Sequence, residues 1–159
     1  MLPLYSASPS LSQQTQQKTT TETSGNKLFK ADRLRHEREL GLVIATGSVE
    51  MVEGDRVLRA DTVNYNQKQD IVTATGNVVL MEPGGDVVFA DHVELTGDFK
   101  DGIVENIRIL MVDESRMAAV GGRRVGGERT ELRKVVYSPC RSCASKSGTP
   151  LWRIKAVNA

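Results

Sequence analysis

The segment 31–49, ADRLRHERELGLVIATGSV, returns at 60–78 as ADTVNYNQKQDIVTATGNV, aligned without a gap. Ala31/Ala60, Asp32/Asp61, Val43/Val72, Ala45/Ala74, Thr46/Thr75, Gly47/Gly76 and Val49/Val78 are identical, and Leu34/Val63 and Leu42/Ile71 are apolar in both copies. A third Ala-Asp pair, Ala90-Asp91, follows Ala60-Asp61 at nearly the same interval, and a fainter fourth start, RMAAV, lies near Ala118. Self-similarity at such a period means a repeated supersecondary unit that buries its apolar face by stacking on its neighbours.

Within a unit the apolar residues alternate. Val43, Ala45, Gly47, Val49 and Met51 fall on one side of an extended chain, with Ile44, Thr46, Ser48 and Glu50 on the other. The next copy puts Val72, Ala74, Gly76, Val78 and Leu80 opposite Thr73, Thr75, Asn77 and Val79. A period of two with one apolar side is a half-buried strand. EGDR at 53–56 and EPGGD at 82–86 are turn signals, each followed by a short apolar run, VLRADTV or VVFADHV. Each unit is therefore two strands and two turns. ADRLRHEREL alone reads as a charged helix, but its partner ADTVNYNQKQ is a poor one, so both copies are predicted as strand then turn. Glycine at 47 and 76, inside strands at matching places, predicts that the sheet bends there.

Beyond the second copy, IVENIRILMV at 103–112 reads as a longer strand with Ile103, Ile107, Ile109 and Met111 on one face. GGRRVGG at 121–127 reads as a glycine-bracketed turn, with last strands in ELRKVVYS and LWRIKAV. Short turns without intervening helices favour antiparallel pairing. The expected fold is all-β and elongated, with two sheets facing each other or one folded over on itself. A parallel β-solenoid of similar period is the rival.

A chain of 159 residues suits one domain with a real core. Its formal net charge of +1 argues against a nucleic-acid footprint. No apolar run is long enough for a membrane-spanning helix, and MLPLYSASPSLSQQ is not a secretory signal as written. The stretch 5–26 is Ser/Thr/Gln-rich and almost free of apolar groups, so residues 1–27 are expected to be a disordered tether ahead of a domain at 28–159.

No catalytic constellation is present, and no enzyme activity is expected: there is no phosphate loop, no paired His/carboxylate motif and no assembled Ser–His–Asp set. Cys140 and Cys143 form a C-x-x-C, yet zinc would need two further ligands, and His36 and His92 stand singly in separate repeats. No metal or cofactor is expected. Asp32, Asp61 and Asp91 recur with the repeat, which points to turn or backbone capping; a calcium-binding solenoid would need denser Gly/Asp repeats. Aromatic residues are only 4% of the chain, while Val, Ile, Leu and Met are abundant, which suits either a sandwich core or a deformable aliphatic slot.

The repeated AD…ATG-V units resemble the OstA-like domain of lipopolysaccharide transport proteins, over roughly 28–159. The tail VVYSPCRSCASKSGTPLWRIKA, 135–156, is similar to the end of the periplasmic N-terminal domain of the outer-membrane assembly protein LptD, where an aromatic, a Cys and a W-x-(I/V) lead to the β-barrel. The resemblance implies a V-shaped antiparallel β-jelly roll in the periplasm or at the periplasmic face of the outer membrane. Its interior would hold lipopolysaccharide acyl chains, lined by Val43, Ala45, Val49, Met51, Val72, Ala74, Val78, Leu80, Ile107 and Ile109. It further implies an LptA-like bridge protein docking on an N-terminal strand edge near Leu28–Leu34, and a β-barrel with its lipoprotein plug reached through about 137–159. Cys140 would then bond to the barrel, with Cys143 in the same role or closing on Cys140. The basic stretch 116–134 reads as a solvated turn and strand edge, or as phosphate-pairing arginines at the groove mouth. A stand-alone bridge of LptA type and a structural β-repeat protein with a filled core remain the alternatives.

Overall fold

A computed structural model describes residues 19–24, 26–139 and 153–159. They form eleven strands and no helix: β1 (Thr20–Ser24), β2 (Lys27–Ala31), β3 (Arg33–Glu37), β4 (Leu42–Glu53), β5 (Arg56–Asn66), β6 (Ile71–Met81), β7 (Val87–Thr96), β8 (Gly102–Leu110), β9 (Arg116–Val125), β10 (Arg129–Ser138) and β11 (Ile154–Asn158). One sheet runs in the order β1-β2-β4-β5-β6-β7-β8-β9-β10-β11, with β3 also paired to β4. Every pairing is antiparallel. The solenoid rival, which needs parallel ladders, is overturned. β2 and β3 together are the first copy of β5, one repeat earlier and kinked at Asp32. The charged RLRHE segment is strand β3, as its repeat partner requires.

The bends fall where the repeated glycines predict. Gly47 and Ser48 have φ of 81° and 45°, and Gly76 and Asn77 have 76° and 47°. The ladder slips there, between Thr46 and Val49 and between Thr75 and Val78. Two successive left-handed residues kink the strand yet leave its inward alternation in phase, so Val43, Ala45, Val49 and Met51 all point in, as do Val72, Ala74, Val78 and Leu80. In β8 and β10 a lone left-handed residue, Asn106 (φ 52°) or Lys134 (φ 54°), marks the bend and shifts the alternation by one residue: Val104 and Ile107 both point in, as do Leu132 and Val135. Ser48, Asn77, Asn106 and Lys134 recur at almost constant spacing, so the repeat runs through the faint fourth copy as backbone conformation.

These aligned bends fold the sheet into two layers. The first layer holds β2, 49–53, 56–60, 78–81, 87–90, 107–110, 116–119 and 135–138; the second holds β3 and the other half of each long strand. Phe29 and Tyr65, from opposite layers, stack with ring centroids 6.0 Å apart. Along the bend Ala31, Ala60, Ala90 and Ala119 alternate with Val49, Val78, Ile107 and Val135, all buried. Alanine in every second strand lets the layers converge at the fold line.

Four expectations need correction. The predicted tether 1–27 contains β1, which pairs with β2 from Thr20↔Ala31 to Ser24↔Lys27. TTETS has little to bury, but an edge strand is held by its ladder hydrogen bonds. β1 also changes the docking edge, because β2 is an inner strand between β1 and β4 and the unpaired sides here belong to β1 and β3. Ile103 points outward and is 47% exposed, because the left-handed Asn106 breaks the alternation and Val104 takes the inward place. Finally, Gly121–Val125 continue β9 rather than turn. The space a side chain would need at Gly122 is filled by Leu132 on β10, 2.8 Å from where a Cβ would sit.

Candidate functional site

The space between the layers is lined by rows of side chains that cross the sheet. One row of the first layer runs Phe29, Met51, Leu58, Leu80, Val88, Ile109 and Met117; the facing row of the second runs Val43, Tyr65, Val72 and Leu95. Of the ten residues assigned to a groove, Val49, Met51, Val78, Leu80, Ile107 and Ile109 lie in the first layer and Val43, Ala45, Val72 and Ala74 in the second. All point inward, and nine are buried, with Ile109 half-buried. Phe29, Tyr65 and Phe99 join this interior and were missed, because an argument from ring scarcity says nothing of where the few rings go.

The interior is tightly filled at its middle. The internal space touching Val78, Leu80, Leu95, Ile107 and Ile109 measures about 30 Å³, comparable to one water's share of the liquid. Packing is looser at Leu34 on β3 and at Val88, Ile109 and Met117 on β7, β8 and β9, which are only partly buried. The most apolar concavity, about 490 Å³, lies at the strand ends of β7–β10, where the inward Ile109 and Met117 meet outward residues such as Phe89, Leu110 and Val136. Those outward positions were not singled out in the sequence.

Where the apolar rows end, a charged row closes the first layer: Lys27, Glu53, Arg56 and Glu82 stand side by side on β2, β4, β5 and the end of β6. It meets the second layer at two clasps. In one, Lys27 Nζ lies 4.0 Å from Glu53, 3.4 Å from Asp70 and 4.9 Å above the Tyr65 ring centre, while Tyr65 donates to Asp70 Oδ1 at 2.8 Å. Burial pulls the Lys27 pKa down, but the Tyr65 hydroxyl, Glu53 and Asp70 outweigh it and raise it above the ordinary 10.5. Tyr65 is pushed above 10.0 by burial and by its bond to Asp70, against the opposing pull of Lys27. In the other clasp Arg56 Nε donates to Glu82 Oε2 at 3.0 Å and Arg124 Nη1 to Oε1 at 2.7 Å. A signal for this row was present in the sequence: Arg56 and Glu82 stand one repeat after Lys27 and Glu53.

The other singled-out residues separate. Asp61 accepts from Asn77 Nδ2 at 2.9 Å and Asp91 from Asn106 Nδ2 at 2.8 Å, while the Asp32 backbone N–H donates to Gly47 O at 2.9 Å. The repeated aspartates thus brace the bends. His36 contacts Glu22 at 2.9 Å and Gln67 at 3.3 Å, tying β1 to β3 and the turn after β5. Of the basic stretch, Arg124 turns inward and Arg129 pairs on the surface with Glu131. Cys140 and Cys143 lie outside the described residues.

A single antiparallel sheet, bent along one line into two layers with an aliphatic interior open at its ends, is a distinctive architecture. It is similar in fold to LptH. That solved structure, "the LptA homologous periplasmic component of the conserved lipopolysaccharide transport device from Pseudomonas aeruginosa", matches with a TM-score of 0.57 at 12% identity, over 82% of this chain and 94% of LptH. The chain therefore has the LptA-like β-jelly roll. No family model matches the chain, and no curated protein does.

Proposed function

We propose that this chain carries lipopolysaccharide through the periplasm, with the acyl chains between the two layers and the sugar headgroup outside. The observation that carries this reading is the predominantly aliphatic inward lining from β2 to β10, interrupted by Phe29, Tyr65 and Phe99 and only partly buried at Leu34, Val88, Ile109 and Met117. The LptH-like fold supports it. A binding site of this kind needs no catalytic group, and the chain is read as a non-enzymatic conduit.

The asymmetry of the edges suggests the partner surface. The Asp32 N–H bond to Gly47 sets the alternation along β3, so Arg33, Arg35 and Glu37 aim their backbone groups away from β4. An LptA-like partner would add a strand there. At the other end, Cys140, Cys143 and the run to Trp152 would tie the domain to an outer-membrane barrel and its lipoprotein plug, the arrangement of LptD.

Photocrosslinkers at Leu34, Ile109 and Met117, expressed in lipopolysaccharide-producing cells, test the carrier. Crosslinks to lipopolysaccharide at these positions, with none at outward Arg59, are expected. The tight packing of Val43, Val49, Val72 and Val78 also fits the second reading, a structural β-repeat with a filled core. Silence at all three inward sites would favour that one.

A further inference from the structure

We propose that Arg56, Glu82 and Arg124 form a latch between the layers, opened when a phosphate on the carried lipid takes the place of the Glu82 carboxylate. The inference rests on the carrier reading and assigns to it a headgroup site.

Arg56 and Glu82 belong to the charged row of the first layer. Arg124 belongs to the second, opposite Gly102 on β8 in the row that runs from His36 through Val43, Tyr65, Val72 and Leu95. Among the described residues, the ion pairing that joins the layers at this end therefore runs through one carboxylate. The side chains of Arg124 and Glu82 are 12% and 13% exposed, and that of Arg56 is 23% exposed.

The pairing along the row is uneven. Two guanidiniums share a single carboxylate here, whereas at the Lys27 clasp one ammonium faces both Glu53 and Asp70. The Arg124 donors are also incompletely used: Nη1 bonds Glu82, Nη2 bonds the Gly127 carbonyl, and Nε is buried without a partner among the described residues. A phosphate has more acceptor oxygens than a carboxylate and matches the guanidinium fork, so it could satisfy Nε and span both arginines.

Position makes the anion an amphiphile's. Among the described residues, Arg124 is the one charged side chain on the internal space of about 30 Å³, beside Val78, Leu80, Leu95 and Ile107. A molecule with its phosphate at Arg124 would have its tails among those side chains. That space holds no acyl chain while the layers are shut. The group that recognises the phosphate is the group that joins the layers, so recognition and opening are one exchange.

The test uses the full chain and an apolar fluorescent probe held between the layers. Displacement is titrated with diphosphorylated lipid A, with the same lipid stripped of phosphate, and with inorganic phosphate. The wild type should prefer the phosphorylated lipid by about tenfold or more, the scale of a charge-assisted hydrogen bond. Arg124→Gln should collapse that preference to within about twofold, Glu82→Gln should tighten binding of the phosphorylated form, and Arg59→Gln, on the outer face, should leave the preference as in wild type. Should Arg124→Gln fail to fold in a thermal melt, Arg56→Gln supplies the same readout. Equal binding of both lipids by the wild type, or an undiminished preference in the arginine variants, overturns the latch alone. Loss of the preference in millimolar inorganic phosphate would reassign the site to free anions and overturn it too. Binding of neither lipid would take down the carrier reading and the latch together.

Discussion

Replacing Gly76 by alanine probes the device that makes this sheet fold over. Gly76 has φ of 76°, and an added Cβ would intrude on the Asp61 carboxylate, 3.0 Å from both its Cβ and Cγ. Two costs follow. Holding an alanine in the left-handed region costs about 1–2 kcal/mol. Displacing the carboxylate breaks its 2.9 Å bond from Asn77, worth about 1 kcal/mol at a solvent-facing site. The expected loss is about 2–3 kcal/mol in urea-unfolding free energy. Gly54 is the internal standard: its φ is 58°, but nothing lies within 4 Å of an added Cβ, so Gly54→Ala should lose only the backbone part, about 1–2 kcal/mol. In a double-mutant cycle, Asp61→Ala with Gly76→Ala should recover about 1 kcal/mol relative to the sum of the single changes. If Gly76→Ala costs no more than Gly54→Ala, or if Asp61 and Gly76 add independently, the aspartate does not brace the bend and this account of the repeat is wrong.

Leu58 is fully buried between the layers, so Leu58→Ala should lower the unfolding free energy by about 2–5 kcal/mol. Lys27 and Tyr65 both have raised pKa values, so the fold favours their protonated forms. Stability should therefore be intact below about pH 10 and fall as pH rises through the two raised values; melting temperatures from about pH 9 to 11 should drop less steeply in Lys27→Met. Proline substitutions distinguish the edges: Lys30→Pro, inside the sheet, should destabilise the domain by about 3 kcal/mol or more. Arg33→Pro, on the open side of β3, should leave the melt nearly unchanged and weaken capture of an LptA-like partner in a pull-down. Partner capture unaffected by Arg33→Pro would place docking elsewhere.

The repeat made much of this fold readable. Offset alignment turned RLRHE into a strand against its own propensity, and two glycines at equivalent places located the bends. What stayed hidden involves residues whose role depends on the layer opposite. Arg124 sits in a run, GGRRVGG, that any local reading takes for a turn, and its partner Glu82 is distant in sequence; only the folding of one layer over the other brings them to 2.7 Å. The left-handed Asn106 and Lys134 carry the repeat onward without the glycine that marks it earlier, so the start of β8 was assigned one residue out of phase at Ile103, while Ile107 and Ile109 point inward as expected. β1 was missed because backbone pairing alone, without an apolar face, is enough to hold a strand at an edge. The ten interior positions were legible because alternation is local, whereas the width of the space they enclose is set by how closely the alanine row lets the layers approach.

That alanine row also governs how the molecule can vary in length. Each repeat unit contributes two strands, and adjacent strands lie about 4.8 Å apart, so one unit extends the sheet by about 9.6 Å along the axis of the bend. The cross-section is fixed separately, by the alanine at the fold line and the aliphatic beside it, and is reproduced by each unit irrespective of how many precede it. Duplication or loss of a unit would change reach without changing bore, and its new strands would meet neighbours already carrying the complementary alternation. Such a chain is a ruler graduated in whole units, whose length follows the number of units while its cross-section stays constant.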